Sequence, residues 1–446
     1  MEFLTGVINN SEKPVLLSSV QGEYRFCFMT DSVLEVGTRY LPVKVSNNDG
    51  FIFGRTHDNH KIAIYSGDND LNIFGTQMLN AGAYVVSNGN ITPDELNGFS
   101  AISFSGGSLN RVFHIDGIDF DYTLKNGSVG KLNDDSKAFD IVSGDSKIHI
   151  DIRSSVSFAD GQDGKTINNS GVTLTLSFDK EQPLSLIFKH YNIVKRVLSF
   201  MSFRMNVGFE TVELLRNTDE YEFPVAFAKV YVQDSQELAL KDYQRNITVE
   251  DLGEAFPELI RLFYETGEES AAPQIGFLPE NEKDLYYITN SKLREICSAI
   301  ENELDYISDI KVEENKQIEE LKSLVKDTIK TYKAGHPDFP DGALSLVNNS
   351  VSTWSLSLRE RLNALCEKYK VEISHMNDSE VVIDEAAVQA FVKHRNTVTH
   401  GNTKILTAVV AETAFVLSGV VYCCVLDRIG VPRSKIEELA KYKLLK

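Results

Sequence analysis

The chain is poor in cysteine, and the five it has are scattered over 446 residues. Cys27, Cys297, Cys366, Cys423 and Cys424 are odd in number and include an adjacent pair badly placed to bridge to each other. A disulfide framework is therefore excluded, and a reducing compartment is expected. No CxxC or His-Cys cluster occurs, which argues against a structural zinc site, and no metal or other cofactor is expected. The opening Met-Glu-Phe-Leu-Thr-Gly has neither a basic region nor an uninterrupted apolar core, so no secretory signal is expected and the cytoplasm is the default location. Positive charge is scarce too: 45 Lys and Arg face 64 Asp and Glu, a net charge of −19. Sequence-independent coating of nucleic acid depends on neutralising phosphates, so any nucleic-acid contact must be local. Between Asp384 and Lys446 nine bases meet six acids, a small excess compatible with one phosphate site.

Long apolar runs are almost missing. The candidate is the 22-residue stretch Ile405 to Leu426, interrupted by Glu412, Thr407, Thr413, Ser418, Gly419 and Tyr422. It is long enough to span a bilayer, but a central Glu is costly in lipid and its neighbours read as soluble amphipathic helices. A buried core helix is expected, with no membrane partner.

What is present is an ordinary globular composition, 42% hydrophobic and 24% charged, in a chain too long for one core. Up to about residue 235 the pattern has period two: Glu23 to Phe28, Lys61 to Tyr65, Arg111 to Tyr122, Lys147 to Ile152 and Val172 to Phe178. Turn clusters separate these runs at Asn47 to Gly50, Asn126 to Ser128 and Asp160 to Gly164. After Pro183, Leu184, Phe188, Tyr191, Val194, Val197, Leu198 and Met201 keep helical spacing, and Val225 to Val232 returns to strand. Residues 1–235 are thus expected to form an antiparallel β-sandwich or barrel-like domain with one packed helix. Residues 236–285 read as an acidic connector with a helix around Leu252 to Thr266. Residues 286–446 read as an all-α bundle of about five helices. Their stripes are Leu293 to Ile307, Ile318 to Tyr332 ending at Gly335, Leu358 to Tyr369, a helix opening at Asp384, and the long apolar run; a loop with Pro337 and Pro340 breaks the series. The whole is a multidomain α+β chain.

The helix opening at Asp384 carries the one hint of chemistry. Ala387, Val388, Phe391 and Val392 recur at helical spacing behind the N-cap Asp384, and the helix runs through Lys393, His394, Arg395 and Asn396 to His400 and Gly401. Arg395 stands seven residues after Val388, on the apolar stripe, where a guanidinium must meet a carboxylate or a phosphate. His400 falls in the last turn, where the helix dipole favours its protonated form. Arg395 and His400 lie about 140° apart around an ideal helix, so one straight helix does not aim both at one atom. Local distortion or a second copy of the helix would be needed. His394 points away from the stripe and is expected to be solvated or to support the site. The bland alternative keeps Arg395 as the partner of an acid and His400 as a helix-end residue. Arg55 to His60 shows how readily the bare spacing recurs, and its Gly- and Asn-rich surroundings place it at a loop or strand edge.

A helical domain with Arg395-Asn396-x-x-x-His400-Gly401 on a late helix, followed by a long apolar helix closing in Leu426-Asp-Arg-Ile-Gly430, resembles the HEPN superfamily (higher eukaryotes and prokaryotes nucleotide-binding). With a β-rich half ahead of it, the chain is most similar to ApeA-type anti-phage defence proteins of bacteria. The resemblance implies a metal-independent endoribonuclease whose catalytic residues are Arg395, His400 and Asn396, in a composite site across a homodimer. Lys393, His394 and Lys404 would contact the substrate. RNA would be the partner, a tRNA anticodon loop being one with a suitably exposed 2′-hydroxyl. The β domain would sense a phage-derived trigger.

A second function class also fits: a non-catalytic dimerisation or binding module with a lectin-like β domain that takes sugar or protein. Elsewhere, His114 and His149 are expected to pack or hydrogen-bond in strands and Trp354 to be core. Asp145, Asp151 and the Asp160 to Asp163 loop lack EF-hand spacing and read as solvated acids.

Overall fold

The computed structural model describes residues 4–8, 15–19, 24–30, 43–67, 70–73, 76–88, 96, 98–113, 118–121, 128–132, 136–144, 146–161, 164–218, 221–234, 246–265, 271–280, 284, 287–307, 316–352, 358–377, 381–399 and 405–444. His114, Asp145, Asp163, Trp354, His400, Gly401 and Lys404 lie outside the described residues. The chain divides into two compact units, Met1–Glu268 and Glu269–Lys446.

In the first unit the period-two runs become strands. Among the described residues these are Thr5–Ile8 (β1), Val15–Ser19 (β2), Arg25–Met29 (β3), Val43–Val45 (β4), Phe51–Thr56 (β5), Lys61–Tyr65 (β6), Leu71–Ile73 (β7), Thr76–Asn80 (β8), Ala83–Ser87 (β9), Gly98–Ser105 (β10), Ile118–Asp121 (β11), Ser128–Leu132 (β12), Lys137–Ser143 (β13), Ser146–Gly161 (β14), Gly164–Pro183 (β15), Thr211–Thr218 (β16) and Tyr221–Val232 (β17). The main sheet is antiparallel and 13-stranded, in the order β13-β14-β15-β10-β16-β17-β9-β6-β5-β1-β2-β3-β8. A separate ladder, β4 with β7, contributes Val43, Val45 and Ile73 to a core shared with Ile8, Leu17, Phe26 and Phe28. The β14–β15 hairpin pairs Gly161 with Gly164, and the buried isoleucines Ile148, Ile150 and Ile152 stand opposite Phe178, Leu176 and Leu174. That face follows directly from two-residue alternation, which sends every second side chain inward.

One run is strand in only part of its length: Ile118–Asp121 is β11, as expected, but its start is not. Arg111 belongs to a helical turn, Leu109–Val112 (α1), which buries Leu109 and Val112. Gly106 and Gly107 stop β10 with φ of 72° and 59°, a backbone that L side chains rarely adopt, so the chain turns before the alternation can extend. The helix expected after Pro183 is Ile187–Met201 (α2), and it lies on the sheet through Phe188 against Phe51 of β5 and His190 against Phe178 of β15.

The stretch 236–285 is divided between the units. Val249–Leu252 (α3) starts in a capping box, with the Asp251 amide donating to Thr248 Oγ1 and the Thr248 amide to Asp251 Oδ2. Phe256–Tyr264 (α4) then packs Phe256 against Phe113 and Phe139, which anchors it in the first unit.

The second unit is helical. Its described helices are Asn290–Leu304 (α5), Lys316–Gly335 (α6), Asp341–Ser352 (α7), Leu358–Lys368 (α8), Lys370–Met376 (α9), Glu385–Thr399 (α10), Ala408–Arg428 (α11) and Arg433–Tyr442 (α12). The helix α7 was not expected from the sequence; it buries Leu344 and Val351 and leaves Leu346 and Val347 exposed. The long apolar run is α11, which buries residues from Val410 to Leu426 inside this unit. Its hydroxyls turn back on its own backbone, Thr413 onto the Val409 carbonyl and Ser418 onto that of Phe415, so they cost little in the core. Gly430, at φ 88°, ends it.

Candidate functional site

Helix α10 is built as its N-terminus suggests: Asp384 Oδ1 accepts a 2.9 Å hydrogen bond from the Ala387 amide. Ala387, Val388, Phe391, His394 and Val398 are its buried residues. This corrects the assignment of the stripe. His394, expected to be solvated or supporting, is 2% exposed, with Nε2 2.9 Å from Asn290 Oδ1 of α5. The step from Phe391 to 394 and then 398 keeps 3–4 spacing, so the histidine sits on the inner face and Arg395, one residue and 100° further on, sits at its edge. Burial removes direct substrate contact from His394 and leaves it to fix α10 against α5.

Arg395 meets a carboxylate, one of the two partners its position demanded. Its Nη2 donates to Glu301 of α5, 2.9 Å from both Oε1 and Oε2. Nη1 donates to Asn396 Oδ1 at 3.2 Å, so the asparagine steers the guanidinium. The Cys297 thiol lies behind this pair; burial pushes it up to about 12, with the Arg395 charge pulling the other way, and it stays a neutral thiol. Lys393 and Asn396 are exposed on the same helix end. His400 and Lys404 follow in sequence beyond the described residues.

The sequence reading missed the contribution of α5. Asn290, Cys297 and Glu301 recur at i, i+7 and i+11 and form one polar edge beside the apolar Leu293, Ile296, Ile300 and Leu304. That recurrence was the available signal. The same helix supplies a second pair, Glu303 with Arg428 of α11 at 3.1 Å, in which Glu303 is 1% exposed and Arg428 lies over the Tyr306 ring. Burial pushes the Glu303 carboxyl up to about 7, against the Arg428 charge. Asp427 accepts from Lys368 Nζ at 2.8 Å and from the Tyr369 hydroxyl at 3.0 Å. The Leu426-Asp-Arg-Ile-Gly430 ending is thus a fastening of α11 to α5, α8 and Tyr369. Among the described residues no group of three or more His, Cys, Asp and Glu is gathered in a way that could hold a metal.

The other Arg-His spacing is a hairpin turn. Arg55 Nη1 donates to Asn59 Oδ1 at 2.8 Å, and His60 Nδ1 lies 2.7 Å from the Ser87 carbonyl. His149 Nδ1 lies 2.8 Å from Asp140 Oδ1 on the neighbouring strand, and Asp151 pairs with Arg153.

A β-rich unit followed by a helical unit with an Arg-Asn pair at the end of a late helix defines the class: a two-part protein of the HEPN type. Comparison with family models agrees. Residues 18–261 match ApeA N-terminal domain 1, and residues 295–435 match the Apea-like HEPN domain. The chain belongs to the ApeA family of HEPN anti-phage defence proteins. No curated protein and no solved structure matches it.

Proposed function

We propose that this protein is a metal-independent endoribonuclease that acts in abortive-infection defence, as a homodimer whose HEPN units complete the site together. Arg395 stabilises negative charge on the scissile phosphodiester through its guanidinium fork. Asn396 holds that guanidinium in place or takes a phosphate oxygen. His400 moves protons: the substrate 2′-oxygen attacks phosphorus as its proton leaves, and the 5′-oxygen departs with a proton. The products are a 2′,3′-cyclic phosphate and a 5′-hydroxyl. DNA, lacking the 2′-hydroxyl, is spared. A second α10 would bring a second Arg395 and His400 to one cleft and remove the angular obstacle within one helix. Lys393 and Lys404 flank the site as phosphate contacts; the cytoplasm is the compartment, a tRNA loop the favoured substrate, and a phage component sensed by the first unit the trigger.

The observation that carries this reading is the exposed end of α10, where Arg395 is hydrogen-bonded to Asn396 five residues before His400. The Arg395–Glu301 pair favours the other reading, in which the arginine is structural and the domain only binds. Wild type, Arg395→Ala and His400→Ala expressed in bacteria with and without phage separate them. Loss of protection and of RNA cleavage in both variants, with wild-type cleavage persisting in chelator, is expected. Equal protection and RNA damage by His400→Ala would sink the nuclease assignment.

A further inference from the structure

Arg395 is already holding an anion within its own unit. Glu301 places both carboxylate oxygens 2.9 Å from Nη2, so an anion already occupies one of the nitrogens a phosphodiester would use on the same guanidinium. With both Glu301 oxygens on that nitrogen, a phosphate reaching it competes with the carboxylate for its two N–H groups, and the two anions would repel each other at such a separation. Both side chains reach solvent, 27% exposed for Arg395 and 35% for Glu301, so the pair is of the weak, screened kind that an incoming charge can replace. The Asn396 bond to Nη1 does not depend on Glu301 and would keep the guanidinium aimed after the carboxylate leaves. Cys297, buried behind the pair, offers no competing charge.

Resting on the ribonuclease reading above, we propose that Glu301 is a gate on Arg395: its carboxylate occupies the phosphate position in the resting protein, and RNA engages Arg395 by displacing it. Glu301 thereby sets how much phosphate affinity is needed before the site opens. The gate raises the threshold for adventitious RNA without altering the residues that act on the bond.

The test uses the purified full chain and a fluorescent 2′-O-methyl RNA oligonucleotide, which lacks the attacking hydroxyl and reports binding alone. Wild type, Glu301→Gln, Arg395→Ala and the double variant are compared by anisotropy, with thermal unfolding to confirm that each is folded. Glu301→Gln is expected to bind about fivefold tighter, the factor that corresponds to the upper end for a partly exposed ion pair. Arg395→Ala should bind more weakly, and the double variant should show no gain over it. If Arg395→Ala binds like wild type, the ribonuclease reading fails at its phosphate contact. If Arg395→Ala weakens binding while Glu301→Gln is unchanged or weaker, the gate is overturned and Glu301 is an anchor. A gain that survives in the double variant overturns it too, since it then comes from net charge and not from Arg395.

Discussion

Replacing Arg395 with lysine separates a catalytic arginine from a structural one. Lysine keeps the positive charge and most of the stem but loses the planar fork, so it no longer offers one fixed donor to Asn396 Oδ1 and separate ones to an anion. The structural cost follows from exposure: the Glu301 pair is about one-third open on both sides, and such pairs contribute about 0.2–1 kcal/mol, part of which lysine retains. Stability should therefore fall by less than about 1 kcal/mol. Loss of a preorganised donor to a developing oxyanion costs far more, about 100- to 1000-fold in rate. The expected result is a variant that melts near wild type and cleaves RNA at least about 100-fold more slowly. Urea unfolding followed by circular dichroism and a gel-based cleavage assay on the same preparations measure both. A stability loss above about 2 kcal/mol together with retained cleavage would refute the assignment, because it would make the ion pair with Glu301 the purpose of the arginine.

Two further predictions concern pH, with opposite signs. Burial between Phe99 and Phe178 holds His190 down from 6.5 to about 4, so the unfolded chain takes up the proton first. Stability of the first unit is then fully present above pH 6.5 and lost towards pH 4, by up to roughly 3 kcal/mol; His190→Phe should flatten this loss, read from hydrogen exchange of α2. Glu303 behaves inversely, since its carboxyl is raised from 4.5 to about 7 by burial beside Arg428. The folded second unit holds the proton there, so stability falls as pH rises from 4.5 to 7 and is level above; Glu303→Gln should remove that slope in pH-dependent unfolding of the second unit. An unchanged slope in either variant would show that another group carries the titration.

Much of this was legible in the residues because it is local. Alternation with period two names a strand face whatever it packs on, and β6 and β15 contain the runs Lys61 to Tyr65 and Val172 to Phe178 expected for them. Asp384 declared a helix start, and the Asp-Arg-Ile-Gly ending after Leu426 declared a stop at Gly430. The Arg111 run was right only in part: Ile118 to Asp121 is strand β11, but the start of the run lies in α1, which follows two glycines with positive φ. The helix α7 was silent: Leu344, Val347 and Val351 keep helical spacing, but Gly342, Asn348, Asn349 and three serines are poor helix formers and it directly follows the Pro337 to Pro340 loop.

The sequence by itself determined that the chain has a β-rich half and a helical half, that α10 is capped by Asp384, and that Arg395 and Asn396 share its C-terminal end. These depend on neighbours within a few residues, where spacing fixes geometry. Only the tertiary structure decided which face of α10 is inward. Stripes through His394 and through Arg395 both keep helical spacing, and a rotation of 100° separates them; packing against α5 buried the histidine on Asn290 and left the arginine at the edge with Glu301. Glu301 stands 94 residues before Arg395, and no local rule pairs residues so far apart.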